Sequence, residues 1–306
     1  MIIMKERKPV VCVLMSSYNG EKYIKQQIDS ILSQEDVDLK LVIRDDGSTD
    51  GTRDIIREYS SVLLIAGENI GCEPSFMELL HFRIEADYYA FSDQDDVWHP
   101  RKLISAIENI QQHHCDLSVC NLMMVDSNLT KINPLFSKAD IDYNQFLMDR
   151  YAQSNLHGCV QVWTRKLHNT IQSYRPKKVV PHDTWVNAIA NIVSSTFVDE
   201  NCYIDYRLHG DNVSGYTTSF LKKIPKRLKL YFGKKHPRRD VFWKEILESD
   251  ILHLGAPDVR YKTICLIAYY NKGLVNKLRL CFSSFFREMP LQYRLLWSLC
   301  VILNKY

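Results

Sequence analysis

Residues 10–44, VVCVLMSSYNGEKYIKQQIDSILSQEDVDLKLVIR, carry two apolar runs, VVCVLM at 10–15 and LKLVIR at 39–44, around a segment of different period. Such continuous runs predict strands buried on both faces, and Ile24, Ile28, Ile31 and Leu32 between them share one helical face. The unit is therefore strand, helix, strand. The pattern continues with a helix near 52–59 that Thr49 or Asp50 can cap, a strand VLLI at 62–65, a helix near 74–84 and a strand YYAFS at 88–92. A helix at 101–112 and strands LSVC at 117–120 and GCVQVW at 158–163 complete the series. This alternation predicts an α/β fold, a Rossmann-like, mostly parallel sheet flanked by helices.

The chain has 306 residues, 46% of them apolar, enough for a sizeable core. Its start, MIIMKERKPV, turns charged after four residues and lacks the apolar run and cleavage site of a secretory signal, so export by that route is not expected. Nine cysteines form no CxxC pair, which argues against a disulfide framework or a cysteine zinc site and suits a cytosolic protein. The longest apolar stretch near the end, LLWSLCVIL at 295–303, falls short of the roughly 20 residues of a spanning helix.

The net charge of +3 conceals an asymmetry. Residues 1–215 hold 21 Lys and Arg against 30 Asp and Glu, a balance of −9, while residues 216–306 hold 18 against 6, a balance of +12. The polar segment HGDNVSGYTTS at 209–219 precedes this change, which sets a domain boundary at 215 between an acidic α/β part, 1–215, and a basic, helical C-terminal region, 216–306. Between 222 and 239 the cations Lys222, Lys223, Lys226, Arg227, Lys229, Lys234, Lys235, Arg238 and Arg239 interleave with Leu221, Ile224, Leu228, Leu230, Tyr231 and Phe232, without an acid. An anionic membrane surface suits this region, with homodimerisation as its other role. A nucleic acid does not, because the acidic part beside it repels phosphates.

In open α/β sheets the ligand crevice lies beyond the carboxyl ends of the strands, and SSYNGE (16–21), RDDGSTDGT (44–52) and SDQDD (92–96) each come directly after a strand. Asp93, Asp95 and Asp96 crowd three negative charges into four positions. A divalent cation with oxygen ligands, Mg²⁺ or Mn²⁺, relieves that repulsion; the plainer reading is a turn whose acids cap the next helix, Asp96 above all. Asp45 and Asp46 end a strand where acceptors meet base and ribose donors, or else cap a tight turn. Ser17, Tyr18 and Glu21 border the same rim, with backbone groups and a ring suited to a nucleobase, or form an ordinary loop. The spacing GxGxxG is absent, so no dinucleotide fold is expected.

Farther on, PHDTWV at 181–186 offers Asp183, either a general base for a hydroxyl or a helix cap. YRLHGDN at 206–212 offers Arg207 for diphosphate charge and His209 as a neutral metal ligand, or as a structural histidine. The loop-rich insertion between 120 and 158 is where acceptor contacts are expected.

In order along residues 10–215, SSYNGE, VIRDDGSTDGT, NIGCEPSF, FSDQDDVWHPRKL, GCVQVWTRKL, PHDTWV and YRLHGDNVSG resemble the family 2 glycosyltransferases of GT-A fold, and most of all bacterial rhamnosyltransferases of polysaccharide assembly. The resemblance implies that Asp45 meets a pyrimidine base, that Asp93 and Gln94 contact the nucleotide sugar, that Asp95 is the main ligand of Mg²⁺ or Mn²⁺ with His209 as a further metal or diphosphate contact, and that Asp183 is the base of an inverting reaction. Two departures stand out: HD replaces the usual acid pair, and Cys120 and Asn121 stand where relatives often have Ser and Asp.

The activity these residues imply is an inverting, metal-dependent transfer of a sugar, with dTDP-L-rhamnose as the first donor to consider, onto a hydroxyl of a lipid-linked saccharide in cell-surface polysaccharide synthesis. The enzyme would be cytoplasmic, peripheral at the inner face of the plasma membrane. A UDP-hexose donor is the alternative within the same class, and a non-catalytic glycan or membrane adaptor the alternative outside it.

Overall fold

The computed structural model of the chain describes residues 7–136, 157–209, 239–255, 258–283, 287 and 291–304. They fall into two compact units, one containing 7–136, 157–175 and 181–209, the other containing 176–180 and the described residues from 239 onward. The boundary expected at 215, residues 137–156 of the insertion expected between 120 and 158, and the basic run 222–238 lie outside the described residues, while the start of that insertion, 121–125 and 131–134, is strand rather than loop.

The first unit begins with β1 (Val10–Ser17), α1 (Ile24–Leu32), β2 (Asp38–Asp46), α2 (Thr52–Arg57), β3 (Val62–Gly67), α3 (Cys72–Leu80) and β4 (Tyr88–Ser92). β1 lies between β2 and β4 and runs parallel to both, and β2 runs parallel to β3. Val11, Cys12, Val13, Leu14 and Met15 are all fully buried, as a central strand covered on both faces requires. α1 covers one face through Ile24, Gln27, Ile28 and Ile31, whereas Leu32, expected on that face, is 38% exposed. Asp50 rather than Thr49 tends the start of α2: its Oδ1 accepts from the Thr52 amide at 3.1 Å, while the Thr49 amide donates to Asn19 Oδ1 at 2.9 Å.

The unit continues with β5 (Val97–Trp98), α4 (Lys102–His113), β6 (Leu117–Val125), β7 (Lys131–Pro134), a 3₁₀ turn over Gly158–Val160, β8 (Gln161–Thr164), α5 (Arg165–Gln172), α6 (His182–Val193) and β9 (Thr196–Arg207). All nine strands join one sheet in the order β3-β2-β1-β4-β8-β6-β9-β5, with β7 on β6. Parallel pairing holds from β3 through β4 and again between β6 and β9; β8 runs antiparallel to both β4 and β6. The segment GCVQVW is only partly strand, because its first three residues form the 3₁₀ turn.

This arrangement concentrates loops at one end of the sheet. β8 runs opposite to β4, with Val162 beside Ala90, so the start of β8 lies at the carboxyl end of β4. β5, pairing Val97 with Asp205, draws the end of β9 against the acidic segment 93–96.

In the second unit α7 (Arg239–Glu248), α8 (Asp258–Tyr269), α9 (Leu274–Cys281) and α10 (Leu291–Ile302) supply the helical C-terminal region, and Trp243, Ile246, Ile264, Ile267, Tyr270, Leu280, Cys300 and Val301 are buried in it. Residues 176–180 join it through the Lys177 amide, which donates to Glu245 Oε2 at 2.8 Å. Among the described residues no helix is long and apolar enough to cross a membrane.

Candidate active site

Two of the polar loops are laced together. The Gly20 amide donates to Thr52 Oγ1 at 2.8 Å, Asn19 N to Ser48 Oγ at 2.9 Å, and Gly51 N to Glu21 Oε2 at 3.0 Å. Glu21 is thus placed as a strut at the start of α2. Asp45 is fully buried and surrounded by donors: Ser48 N at 3.1 Å, Ser17 Oγ at 3.5 Å, the Ser48 hydroxyl and the Arg53 guanidinium. A carboxylate has about four acceptor positions, so Asp45 in this geometry organises the loop on which a base would rest. Asp46 does similar work for the next loop, accepting from Ile70 N and Gly71 N at 2.9 Å each and from Arg44 at 2.5 Å.

The third loop joins the first through one amide. Gln94 Oε1 accepts from Tyr18 N at 2.9 Å and its Nε2 donates to Tyr18 O at 3.0 Å, which leaves the Tyr18 ring 46% exposed at the rim. Gly20 lies beneath it, where a Cβ would meet Gln94 Oε1 at 2.3 Å.

The three acids of this loop meet three different environments, which is how their repulsion is contained. Asp95 Oδ2 lies 2.7 Å from His209 Nε2, both side chains largely buried. Asp96 is fully buried; its Oδ1 accepts from Arg207 N at 3.1 Å and its Oδ2 has no hydrogen-bond partner among the described residues. It does not cap α4, whose N-cap position is Arg101, so the capping reading of Asp96 is corrected to a fully buried carboxylate beside Cys159. Burial, with the neighbouring Asp95 and Asp93 charges, pushes its carboxyl well above the usual range. Asp93 is half-buried, and burial together with the Asp95 charge raises it to about 7. Asp93, Asp96 and Cys159 bring their ligand atoms within 4.8 Å of one another.

Arg207 binds this loop from β9. Its Nε donates to Asp95 O at 2.8 Å, Nη1 to Ser127 O at 2.8 Å and Nη2 to Gln26 Oε1 at 2.7 Å, and its guanidinium stacks 4.5 Å from the Tyr23 ring. With 2% exposure, its positive charge sits inside the protein and braces the acids. Lys102, 1% exposed with Nζ 3.6 Å from the Trp98 ring centroid, adds a second buried cation below; burial lowers it to about 8.

Asp183 lies in the first turn of α6, one residue beyond His182, the first of that helix. Its Oδ1 accepts from Thr184 N at 2.5 Å and Thr184 Oγ1 at 3.1 Å. Burial raises its carboxyl, the His182 charge opposes this and Glu73 reinforces it. His182 itself is held by Glu73, whose Oε2 lies 2.8 Å from ring Nδ1 and accepts from the His182 amide at 2.9 Å. The ring stacks 4.0 Å from Phe76 and meets Phe91 edge-on at 4.8 Å. Asp93 is within charge reach of both Asp95 and Asp183, which links the two groups. Glu73, Cys159 and Lys102 lie in segments that carry the family resemblance, NIGCEPSF, GCVQVWTRKL and FSDQDDVWHPRKL, but are not among the site residues it implies; long-range pairing brings them to the site.

The donor set fits a divalent cation. Asp95 and His209, 2.7 Å apart, offer one carboxylate and one imidazole, and Asp93 and Asp96 offer further carboxylate oxygens that converge with the Cys159 thiol; the oxygens are the donor type Mn²⁺ or Mg²⁺ takes.

The family model for glycosyl transferase family 2 matches residues 12–171. The dTDP-rhamnosyl transferase RfbG of Shigella flexneri is 30% identical over 242 residues, covering 72% of this chain and 80% of its own. The fold also matches TarS 1-349 of S. aureus in complex with UDP-GlcNAc, with a TM-score of 0.54, 17% identity and coverage of 97% and 81% of the two chains. Mannosyltransferase PcManGT from Pyrobaculum calidifontis, in complex with GDP-Man and Mn²⁺, gives 0.53, 16%, 98% and 82%. The chain is a GT-A-like transferase, and it belongs to glycosyl transferase family 2.

Proposed function

We propose that this transferase moves L-rhamnose from dTDP-L-rhamnose onto a hydroxyl of a lipid-linked saccharide, with inversion, at the inner face of the plasma membrane during cell-surface polysaccharide synthesis. The observation that carries the reading is the grouping of the Asp95–His209 pair with Asp183 at one end of the sheet, linked through Asp93. The likeness to RfbG supports rhamnose in particular.

Asp183 serves as general base: its carboxylate takes the proton of the acceptor hydroxyl as that oxygen forms the new bond to the anomeric carbon, and the bond from that carbon to the diphosphate breaks with its electron pair going to the leaving group. Asp95 and His209 would hold Mg²⁺ or Mn²⁺, which when bound supplies positive charge to the departing diphosphate. Asp93 faces the sugar, and the laced loops of Ser17, Tyr18, Glu21, Asp45 and Gln94 support the base and ribose. Arg207 keeps the acidic loop in place.

Thermal unfolding of the purified protein with dTDP-rhamnose, UDP-glucose, UDP-galactose or UDP-N-acetylglucosamine, each with and without Mn²⁺, tests the reading, because a ligand stabilises the fold only where it binds. Stabilisation by dTDP-rhamnose that needs Mn²⁺ is expected. Stabilisation by a UDP-hexose and not by dTDP-rhamnose overturns the donor; no shift with any of them favours the adaptor.

A further inference from the structure

The second unit exposes two apolar stripes on helices that pack together. On α9 and the residue after it, Leu274, Val275, Leu278 and Phe282 are 67%, 62%, 42% and 72% exposed; on α10 and its end, Leu295, Leu299, Ile302 and Leu303 are 64%, 46%, 49% and 46% exposed. Each set recurs at the i, i+3 and i, i+4 spacings of one helical face. Lys277 Nζ donates to Ile302 O at 2.7 Å and Cys281 Sγ lies 3.9 Å from Ser298 O, so the helices run antiparallel with 277 beside 302 and 281 beside 298. That register sets Leu278 and Phe282 within about half a helical turn of Leu299 and Leu295. Eight large apolar side chains on two neighbouring helices form a larger patch than scattered surface residues explain.

The charge around the stripes selects their partner. Residues 270–287 and 291–304 contain Lys272, Lys277, Arg279, Arg287 and Arg294 and no acid; Glu288, between them, lies outside the described residues. Arg279 comes one helical turn after Val275 and precedes Phe282 by three residues, at the margin of the α9 stripe, and Lys272 sits 4.2 Å from the Tyr269 ring centroid beside its start. A two-fold dimer through this face would bring the same cations against their copies. An anionic bilayer instead receives the apolar side chains below its headgroups and pairs the cations with them.

We propose that the α9–α10 face is a membrane-docking surface, with Leu278, Phe282, Leu295 and Leu299 entering an anionic leaflet and Lys272, Arg279 and Arg287 on its headgroups. This deepens the reading of a peripheral enzyme by naming the surface, and it is independent of the donor sugar.

The test is co-sedimentation of the full chain with vesicles of phosphatidylcholine alone and of phosphatidylcholine mixed with phosphatidylglycerol, for the natural protein, Leu278→Ser with Phe282→Ser, and Arg279→Gln with Arg287→Gln. The natural protein should partition onto the mixed vesicles and not onto phosphatidylcholine. The apolar double variant should lose about tenfold or more of that partitioning, and the basic one should lose less and become less salt-sensitive. Unchanged partitioning of the apolar variant overturns the proposal and moves attachment to another surface, such as the basic run 222–238. A dimer in light scattering that dissociates on Leu278→Ser with Phe282→Ser, without vesicle binding, overturns it in favour of a second copy. Donor-induced thermal stabilisation of the same variants, unchanged in every case, separates these outcomes from any failure of the donor reading.

Discussion

Glu73 and His182, 109 positions apart, form a two-point contact in which one carboxylate oxygen meets both the ring Nδ1 and the backbone amide of the histidine, at 2.8 and 2.9 Å. The contact fixes the entry of α6 against the first turn of α3 and holds the ring directly before Asp183. Burial disfavours a charged His182, but the Glu73 hydrogen bond and the Asp183 and Glu73 charges outweigh it and raise the ring above its ordinary 6.5. The family resemblance implies an acid directly before Asp183; here His182 takes that place, and the acid comes from α3.

His182→Asn keeps a donor for Glu73 and removes the charge. The largest influence opposing the burial of Asp183 is then lost while Glu73 remains negative, so the Asp183 carboxyl rises further. The acidic limb of the pH–rate profile for sugar transfer should move to higher pH, with donor binding little changed. A limb that stays in place would show that His182 acts only through packing.

The same pair makes stability depend on pH with a definite sign. His182, raised in the folded state, contributes fully below 6.5 and loses its contribution as pH rises through its raised value. Burial works against an ionised Glu73, but its bonds to His182 lower it below 4.5, so its share is present above 4.5 and is lost as pH falls through the lowered value. Urea unfolding of the natural protein and of Glu73→Gln should therefore differ most between pH 4.5 and 6.5 and converge at alkaline pH. A difference independent of pH contradicts the pair as an ionic one.

Replacing Asp183, the proposed base, without disturbing the proposed donor site separates binding from chemistry. Asp183→Asn should retain metal-dependent donor stabilisation and lose transfer by about 10²–10⁴-fold, whereas Asp95→Ala should lose the metal dependence of donor binding itself. Calorimetric titration of Mn²⁺ and donor, beside a transfer assay, reads both; normal transfer by Asp183→Asn removes it from the base role.

The sheet's first half is legible in the sequence because β1 and β2 are buried on both faces and so read as unbroken apolar runs, and because α1 carries a clear 3.6-residue period. β5 and β7 are not: two and four residues long, they carry no period, and β5 exists because Val97 pairs with Asp205 far away in sequence. The acidic loop and Asp183 stand out as residue types after strands or Pro. Glu73, Cys159 and Lys102 lie in segments that carry the family resemblance, but by residue type an acid, a thiol and a lysine in helices or turns are ordinary until tertiary pairing sets Glu73 on His182, Cys159 beside Asp93 and Asp96, and Lys102 on Trp98. Arg207 draws attention as a cation for diphosphate, and only the fold reveals a side chain directed inward at Asp95 O, Ser127 O and Gln26.

That inward fork makes a discriminating substitution. If Arg207 mattered chiefly as positive charge for a phosphate, Arg207→Lys would keep most of its effect. A lysine, however, cannot donate from three nitrogens in one plane, so at least two of the three bonds to Asp95 O, Ser127 O and Gln26 Oε1 are lost in a buried place. Stability should fall by about 2 kcal/mol in urea unfolding, and donor affinity should fall with it because the backbone at Asp95 loses its brace. Gln26→Ala, which touches only the outer end of the fork, should reproduce a smaller part of both losses. A lysine variant as stable as the natural protein, with donor affinity intact, would return Arg207 to the role of a simple charge.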